Sequence, residues 1–410
     1  EADMINPLIP IKAKAQLAAL KVLLKVVTPP RPLVILGESS SIKLCNNISM
    51  LGAKRILIVT DAVLYQLGVT SPIEAELEGK GIKCSVFSDV TPDPTLSVVT
   101  QGLHALSRFD ADAVLAIGGG SSIDAAKVIA CAAANNTKPE NLFGVFKAKE
   151  HSLPLFVIPT TAGTGSEVTM GAVISDDENH QKSLIIDPKI VPLAVALDPI
   201  IMKGMPPSIT ADTGLDALTH AVEAWVSDMA SEESDRYAFA SIQMVFKYLL
   251  TAYQDGENLE AREAMGLASH YAGLAINKAG IGYVHAIAHQ LGALYGVSHG
   301  RSNAIVLPHV LDFNNKASAK RLAKLAQALN IVDSNAGVEV ACNAFISHTK
   351  KLINELNVDM SVPNIDKKDF DKIADSAFTE AHGIYAVPKY MSRREAKLIL
   401  HAIKNTAKIA

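Results

Sequence analysis

The hydrophobic pattern changes period part-way along the chain. Between residue 33 and about residue 197, short apolar runs alternate with longer stretches whose apolar positions recur every three or four residues. Leu33–Leu36, Arg55–Thr60, Lys83–Phe87, Ala113–Ile117 and Pro154–Ile158 read as strands. Arg55–Thr60 and Ala113–Ile117 are continuous apolar or β-branched runs closed by a turn residue, which is how a strand covered on both faces reads. Helical spacing over Pro94–Arg108 and Ser122–Ala134 supplies crossovers between them, so a mostly parallel sheet is predicted. Shorter strands are expected at Ala172–Ile174, Ser183–Ile186 and Leu193–Ala196. After Met205-Pro206-Pro207 the Ala-, Leu- and Glu-rich segments follow one another to the C-terminus with hardly a β-type run. That half is predicted to be all helical, with Ser208 or Thr210 as candidate cap of its first helix.

The segment before residue 33 follows neither pattern. No acid stands between Asp3 and Glu38, while Lys12, Lys14, Lys21, Lys25 and Arg31 are spread through Ala, Leu and Val. Lys21 interrupts the apolar centre that a secretory signal needs. An amphipathic helix packing on its own domain or on a second subunit is the main reading. A mitochondrial transit peptide shares the lack of acids but would carry more serine and arginine. Pro29, Pro30 and Pro32 end the helix on either reading. The domain expectation is therefore a helical extension over 1–32, an α/β domain over 33–205 and an all-α domain over 206–410.

Composition narrows the function classes. A net charge of -4 gives no electrostatic case for nucleic acid, which calls for a basic patch. Cys45, Cys84, Cys131 and Cys342 lie far apart with no CxxC pair. They build neither a zinc knuckle nor a disulfide framework, so a reducing compartment is expected, the cytoplasm first and the mitochondrial matrix second. No run of about 18 uncharged apolar residues occurs, so no membrane span is expected.

The candidate chemistry lies at strand ends and in one histidine cluster. Gly118-Gly119-Gly120-Ser121 joins the strand Ala113–Ile117 to a helix, where close backbone approach and exposed N–H groups suit a phosphate. This is not the GxGxxG fingerprint, and Asp124 reads equally as a first-turn acid satisfying the helix end. The stretch Pro159–Glu167 adds hydroxyls at another strand's carboxyl end, where open α/β sheets bind ligands. Asp61, at the tip of Arg55–Thr60, has two readings side by side: an acceptor for ribose hydroxyls that repels a 2′-phosphate, or an N-cap for Ala62–Leu67. His285, His289, His299 and His309 fall within one short segment, and Asp216 and His220 share a helix face. Carboxylate plus imidazoles with no nearby thiol is the ligand set of a divalent transition metal. Spacing alone pairs His285 with His289 at i, i+4.

The motifs GGGSSIDAAK at 118–127, PTTAGTGSEVT at 159–169, GLDALTHAVE at 214–223 and HAIAHQLGALYGVSHG at 285–300 stand in order and register. Together they resemble the iron-containing (group III) alcohol dehydrogenases, from about residue 33 to about residue 380. The resemblance implies an N-terminal dinucleotide-binding α/β domain with a parallel sheet and an all-helical C-terminal domain, with the active site in the cleft between. It implies metal ligands at Asp216, His220, His285 and His299, holding Fe(II), although the same ligands suit zinc. It implies NAD bound at Gly118, Gly119, Gly120 and Ser121 near Asp124, with Thr160, Thr161, Thr164 and Lys182 as further contacts and Asp61 favouring NAD over NADP. His289 becomes a cleft residue that relays a proton, and His309 a packing residue.

Under that implication His285 and His299 stand fourteen positions apart (299 − 285), about 21 Å along a straight helix, so the chain must turn back between them. Gly292, Gly296 and Val297-Ser298 supply the means. One departure from the family is Val387-Pro388-Lys389 where Asn-Pro-Arg is usual. The expected function is an NAD- and metal-dependent alcohol dehydrogenase or aldehyde reductase acting on a small primary alcohol or diol, as a homodimer. The alternatives are a lyase resembling 3-dehydroquinate synthase, whose phosphate-bearing substrate would need basic residues such as Arg301 and Lys182, and a hydrolase using the metal to activate water.

Overall fold

The chain is described from a computed structural model, over residues 8–26, 29–178 and 182–406. Asp3 lies outside these residues. Contacts divide the chain into two compact units, one of residues 28–206 with 255–273, the other of residues 1–27, 207–254 and 274–410.

The first unit is built on β1 (Leu33–Leu36), β2 (Arg55–Asp61), β3 (Lys83–Val90), β4 (Ala113–Gly118), β5 (Gly144–Val145), β6 (Leu155–Pro159), β7 (Gly171–Ser175), β8 (Lys182–Ile186) and β9 (Ala194–Leu197). Six of these form one sheet in the order β1-β9-β6-β4-β2-β3, every pair parallel. A smaller sheet has the order β5-β8-β7. The two-residue β5 is too short to leave a periodic signal, and the sequence pattern did not anticipate it. All six residues of β4 are buried, as a continuous apolar run requires of a central strand. Ile58, Leu115, Ile117, Phe156 and Ile158 belong to its core, each contributing roughly 1.5–3 kcal/mol through burial.

Between the strands run α2 (Ser40–Met50), α3 (Ala62–Gln66), α4 (Ser71–Gly79), α5 (Leu96–Phe109) and α6 (Gly120–Ala134), with an N-terminal α1 (Leu8–Val26) before β1 and α7 (Pro199–Met202) after β9. From β2 the chain leads to β3 on one side, and from β4 to β6 on the other. The carboxyl ends of β2 and β4 therefore flank a topological switch point, the place where such sheets open a ligand crevice. Asp61 ends one of these strands and Gly118 the other.

The second unit is helical: α8 (Pro207–Val226), α9 (Glu232–Gln254), the end of α10 (Leu259–Ala279), α11 (Tyr283–Tyr295), α12 (His299–Asn314), α13 (Ala319–Ala328), α14 (Val338–Glu355), α15 (Phe370–Ala381) and α16 (Arg393–Asn405). Helix α8 begins at Pro207 itself, so Ser208 and Thr210 lie in its first turn and not ahead of it. Proline at the first helical position loses no hydrogen bond and already has the helical φ. Gly296, with φ 65°, caps α11 in the left-handed conformation, and α12 starts three residues later. That turn lays α11 and α12 side by side. Helix α1 groups with this unit; it buries Ala13, leaves Lys12, Lys14 and Lys21 exposed, and sets Gln16 against Gly383.

Candidate metal centre and coenzyme loop

Three helices of the second unit converge on one point. Asp216 and His220, one turn apart on α8, meet His285 from the first turn of α11 and His299 from the first residue of α12. One donor atom from each lies within 4.8 Å of the others. From Asp216 Oδ1 the distances are 3.8 Å to His220 Nδ1, 3.5 Å to His285 Nε2 and 3.4 Å to His299 Nε2. Asp216, His220 and His285 are buried, whereas the His299 side chain is 31 % exposed, so the cluster opens on that side. His289 projects one turn beyond His285 and lies outside the group. Its ring stacks on that of His299, with centroids 5.3 Å apart. The turn at Gly296 brings His285 and His299 together.

Neighbouring groups hold the cluster in place. Glu223, one turn beyond His220 on α8, accepts from His285 Nδ1 at 2.6 Å, from Val284 N at 2.7 Å and from Gly282 N at 2.8 Å. One carboxylate thus fixes the orientation of a ring and satisfies two orphan N–H groups at the start of α11. Asn303, one turn along α12 from His299, donates to Asp216 Oδ1 at 2.8 Å. Burial acts to raise the Asp216 carboxyl pKa. The His220 and His299 rings and hydrogen bonds from His285 and His299 outweigh it, so the group sits well below the usual carboxylate range. Burial opposes charge on His285, but Glu223 and Asp216 prevail and lift its pKa to about 9. A buried carboxylate among three imidazoles, with an amide donor already on the carboxylate, fits a divalent transition metal.

The second candidate site lies in the α/β unit. Helix α6 starts at Gly120, two residues earlier than its apolar spacing indicates, because Gly119 takes the N-cap position with no side chain to offer. The first-turn N–H groups of α6 are therefore left for an anion. A Cβ on Gly120 would lie 2.7 Å from Thr164 Cγ2, so glycine is needed for that approach. Thr161 stands against Gly119 in the same way, and Thr160 N donates to Gly118 O at 3.0 Å.

Three expected coenzyme residues are engaged within the protein. Asp124 accepts from Ser166 Oγ and, at 2.9 Å, from Val173 N. Lys182 Nζ stands 2.8 Å from Asp93 Oδ1. Asp61 Oδ1 accepts from Leu64 N at 2.9 Å and so caps α3. Lys127 is a residue the sequence reading passed over. Wholly buried, its ammonium reaches Gly171 O at 2.7 Å, Thr169 O at 2.9 Å, Thr169 Oγ1 at 3.1 Å and Ser166 Oγ at 3.2 Å. Burial lowers its pKa to about 8 against the pull of Asp124 and Glu167. Asp124 and Lys127, one helical turn apart, together tie the 159–171 loop beneath the glycine turn.

Comparison with known proteins decides between the remaining readings. Residues 31–199 match the iron-containing alcohol dehydrogenase model, and residues 210–404 match the model of the C-terminal part of the Fe-containing alcohol dehydrogenase family. The chain belongs to the iron-containing alcohol dehydrogenase family. Alcohol dehydrogenase 4 of Schizosaccharomyces pombe is 39 % identical over 353 residues, 85 % of this chain and 82 % of the relative. The NAD-dependent methanol dehydrogenase of Bacillus methanolicus is 35 % identical over 355 residues, 85 % of this chain and 92 % of the relative. The alcohol dehydrogenase from Oenococcus oeni has a solved structure that superposes with a TM-score of 0.88 at 31 % identity, covering 92 % of this chain and 99 % of that one.

As a member of the iron-containing alcohol dehydrogenases the chain is an oxidoreductase acting on CH–OH groups, in a family that uses NAD and Fe(II). The lyase reading is not favoured. Arg301 and Lys182, the cations it would turn on a phosphate, are paired with Asp359 at 2.6 Å and Asp93 at 2.8 Å. Among the described residues no helix is long and apolar enough to cross a membrane.

Proposed function

We propose that this chain is an NAD-dependent dehydrogenase of small primary alcohols or diols, working in the reverse direction as an aldehyde reductase. In this reading Asp216, His220, His285 and His299 hold Fe(II), with zinc as the other ion those donors suit. Gly118, Gly119, Gly120 and Ser121 cradle the coenzyme pyrophosphate, while Thr160, Thr161 and Thr164 line the same turn. A bound cation supplies Lewis acidity toward a substrate oxygen, and NAD accepts the hydride. The convergence of one carboxylate and three imidazoles, open beside His299, carries the reading.

The protein's own groups then have simple tasks. Glu223 keeps the His285 ring turned so that Nε2 faces Asp216. His289, adjacent to the open side, takes up the hydroxyl proton that an alcohol releases as its carbinol carbon gives up hydride. Asp124 and Lys127 act on the coenzyme turn by positioning its loop, through the partners named above, while Lys182, paired with Asp93, is kept as a coenzyme contact in this reading. Asp61 keeps both of its readings, since a carboxylate capping α3 through one oxygen still has another for a ribose hydroxyl.

Coenzyme reduction by methanol, ethanol, butanol and short diols, followed at the NADH absorbance with Fe(II) or Zn(II) added, tests this proposal. No reduction with any alcohol in the presence of either ion would overturn it. In the same assay Asp61→Gly should raise activity with NADP relative to NAD, by about tenfold if one ion–ion repulsion of roughly 1.4 kcal/mol is relieved. An unchanged ratio would leave Asp61 as a helix cap only.

A homodimer also belongs to this reading, through β1. That strand is the sheet's edge, and its Leu33 and Leu36 are 58 % and 39 % exposed, so a second copy would cover apolar surface and unpaired backbone together. Sedimentation of the purified chain as a monomer would remove it. A reducing compartment, the cytoplasm in this reading, agrees with four unpaired cysteines.

A further inference from the structure

A carboxylate that no motif pointed to stands behind His289. Glu380, in the last turn of α15, has its Oε1 2.7 Å from His289 Nδ1 and 2.7 Å from Tyr385 Oη, and its Oε2 3.2 Å from Gln290 Nε2. The pair is largely shielded, the His289 side chain being 14 % exposed and that of Glu380 26 %. Tyr385 is buried and lies in the Gly383–Met391 stretch where the chain departs from the family's usual Asn-Pro-Arg.

Donor and acceptor roles in this cluster follow from valence. An ionised carboxylate can only accept. Tyr385 Oη donates to Oε1 and Gln290 Nε2 to Oε2, so both carboxylate oxygens are held as acceptors. The nitrogen of His289 that faces this carboxylate at 2.7 Å is then the donor of that contact. A neutral imidazole with its proton on Nδ1 carries its lone pair on Nε2. The ring is locked in position by stacking on His299 at 5.3 Å and by its edge-on approach to His285 at 5.9 Å.

We propose that Glu380 is the positioning residue of His289, holding the ring in the tautomer whose Nε2 accepts the substrate proton, with Tyr385 and Gln290 holding Glu380 in turn. This rests on the reading of His289 as proton carrier. In alcohol oxidation the hydride leaves carbon for the coenzyme and the hydroxyl proton passes to Nε2, while the Nδ1 proton stays toward Glu380. The transient imidazolium then returns one proton to water, so the sum is alcohol plus NAD+ to aldehyde, NADH and a proton. Without the carboxylate Nδ1 loses the acceptor that stands 2.7 Å away, and a share of molecules presents a protonated Nε2 that cannot accept.

The test uses the metal-loaded full chain and four variants: His289→Ala, Glu380→Leu, Glu380→Gln and the double variant His289→Ala with Glu380→Leu. Glu380→Leu should lower kcat about tenfold or more with KM and bound metal unchanged, since general acid–base catalysis contributes 10²–10⁴-fold in all. Glu380→Gln should recover most of the loss, because its amide oxygen still accepts from Nδ1. In the His289→Ala background Glu380→Leu should cost nothing further. The imidazole 15N resonances of the zinc-loaded protein, assigned by difference against His289→Ala, should show a proton-bearing Nδ1 in wild type and Glu380→Gln and a mixture of tautomers in Glu380→Leu. Metal loss in Glu380→Leu, an undiminished effect in the double variant, or unaltered ring resonances would each overturn the assignment. A silent His289→Ala would instead bring down the proton-carrier reading, and the resonances would still report whether Glu380 sets the tautomer.

Discussion

His299→Ala should purify with little metal, on the order of a tenth of the wild-type content or less, and lose activity about 10³-fold or more. Two features set the size of the effect. His299 is one of the four residues whose donor atoms converge, and the one of them on α12, so its loss takes away a quarter of the ligand set while Asn303 of the same helix still holds Asp216. His289→Ala is the matched control. It removes a ring stacked on His299 but not a member of the four, so metal should be retained while turnover slows about 10²-fold. Metal analysis of both purified variants gives a direct answer. Retention in His299→Ala together with loss in His289→Ala would restore the i, i+4 pairing of His285 with His289 and sink the ligand set.

Glu223→Ala should act on folding and on metal retention at once. The carboxylate accepts from Gly282 N, Val284 N and His285 Nδ1 within 2.8 Å, and it is buried. Its removal leaves two backbone donors at the head of α11 without their acceptor and frees the His285 ring to rotate. At about 1–3 kcal/mol for each buried donor left unmade, a loss on the order of 3 kcal/mol in unfolding free energy is expected. Affinity for the ion should fall about 10- to 100-fold, the usual effect of losing a carboxylate partner of a ligand histidine. Denaturant melts of the chelated protein separate the first effect from the second, which a competition titration with a zinc chelator measures. Unchanged affinity beside reduced stability would show that Glu223 serves the helix and not the ring.

The sequence made some of this plain and hid the rest for physical reasons. The parallel sheet was legible because its central strands are covered on both faces and so read as unbroken apolar runs, as β4 shows. Asp216 and His220 were legible as a pair from one helical turn of spacing. Glu223 and Asn303 carried the same signal, at seven positions from Asp216 and four from His299, but neither was singled out, since a glutamate or asparagine on a helix face is ordinarily solvated. Glu380 gave no local signal at all: ninety-one positions separate it from His289, and only the packing of α15 on α11 joins them. Asp124 and Lys182 came from the family resemblance and not from local spacing, and in the structure they hold Val173, Ser166 and Asp93.

The tight corner at Gly296 sets a limit on how this chain can vary in length. One residue added or removed between Tyr295 and His299 would change the three-residue turn that sets the first residue of α12, and with it the imidazole, beside Asp216. The surface loop between α13 and α14 has no such turn to keep, and an insertion there moves no donor atom. Length polymorphism in descendants of this sequence is therefore expected to spare the segment from His285 to His299, whatever becomes of the residues in between.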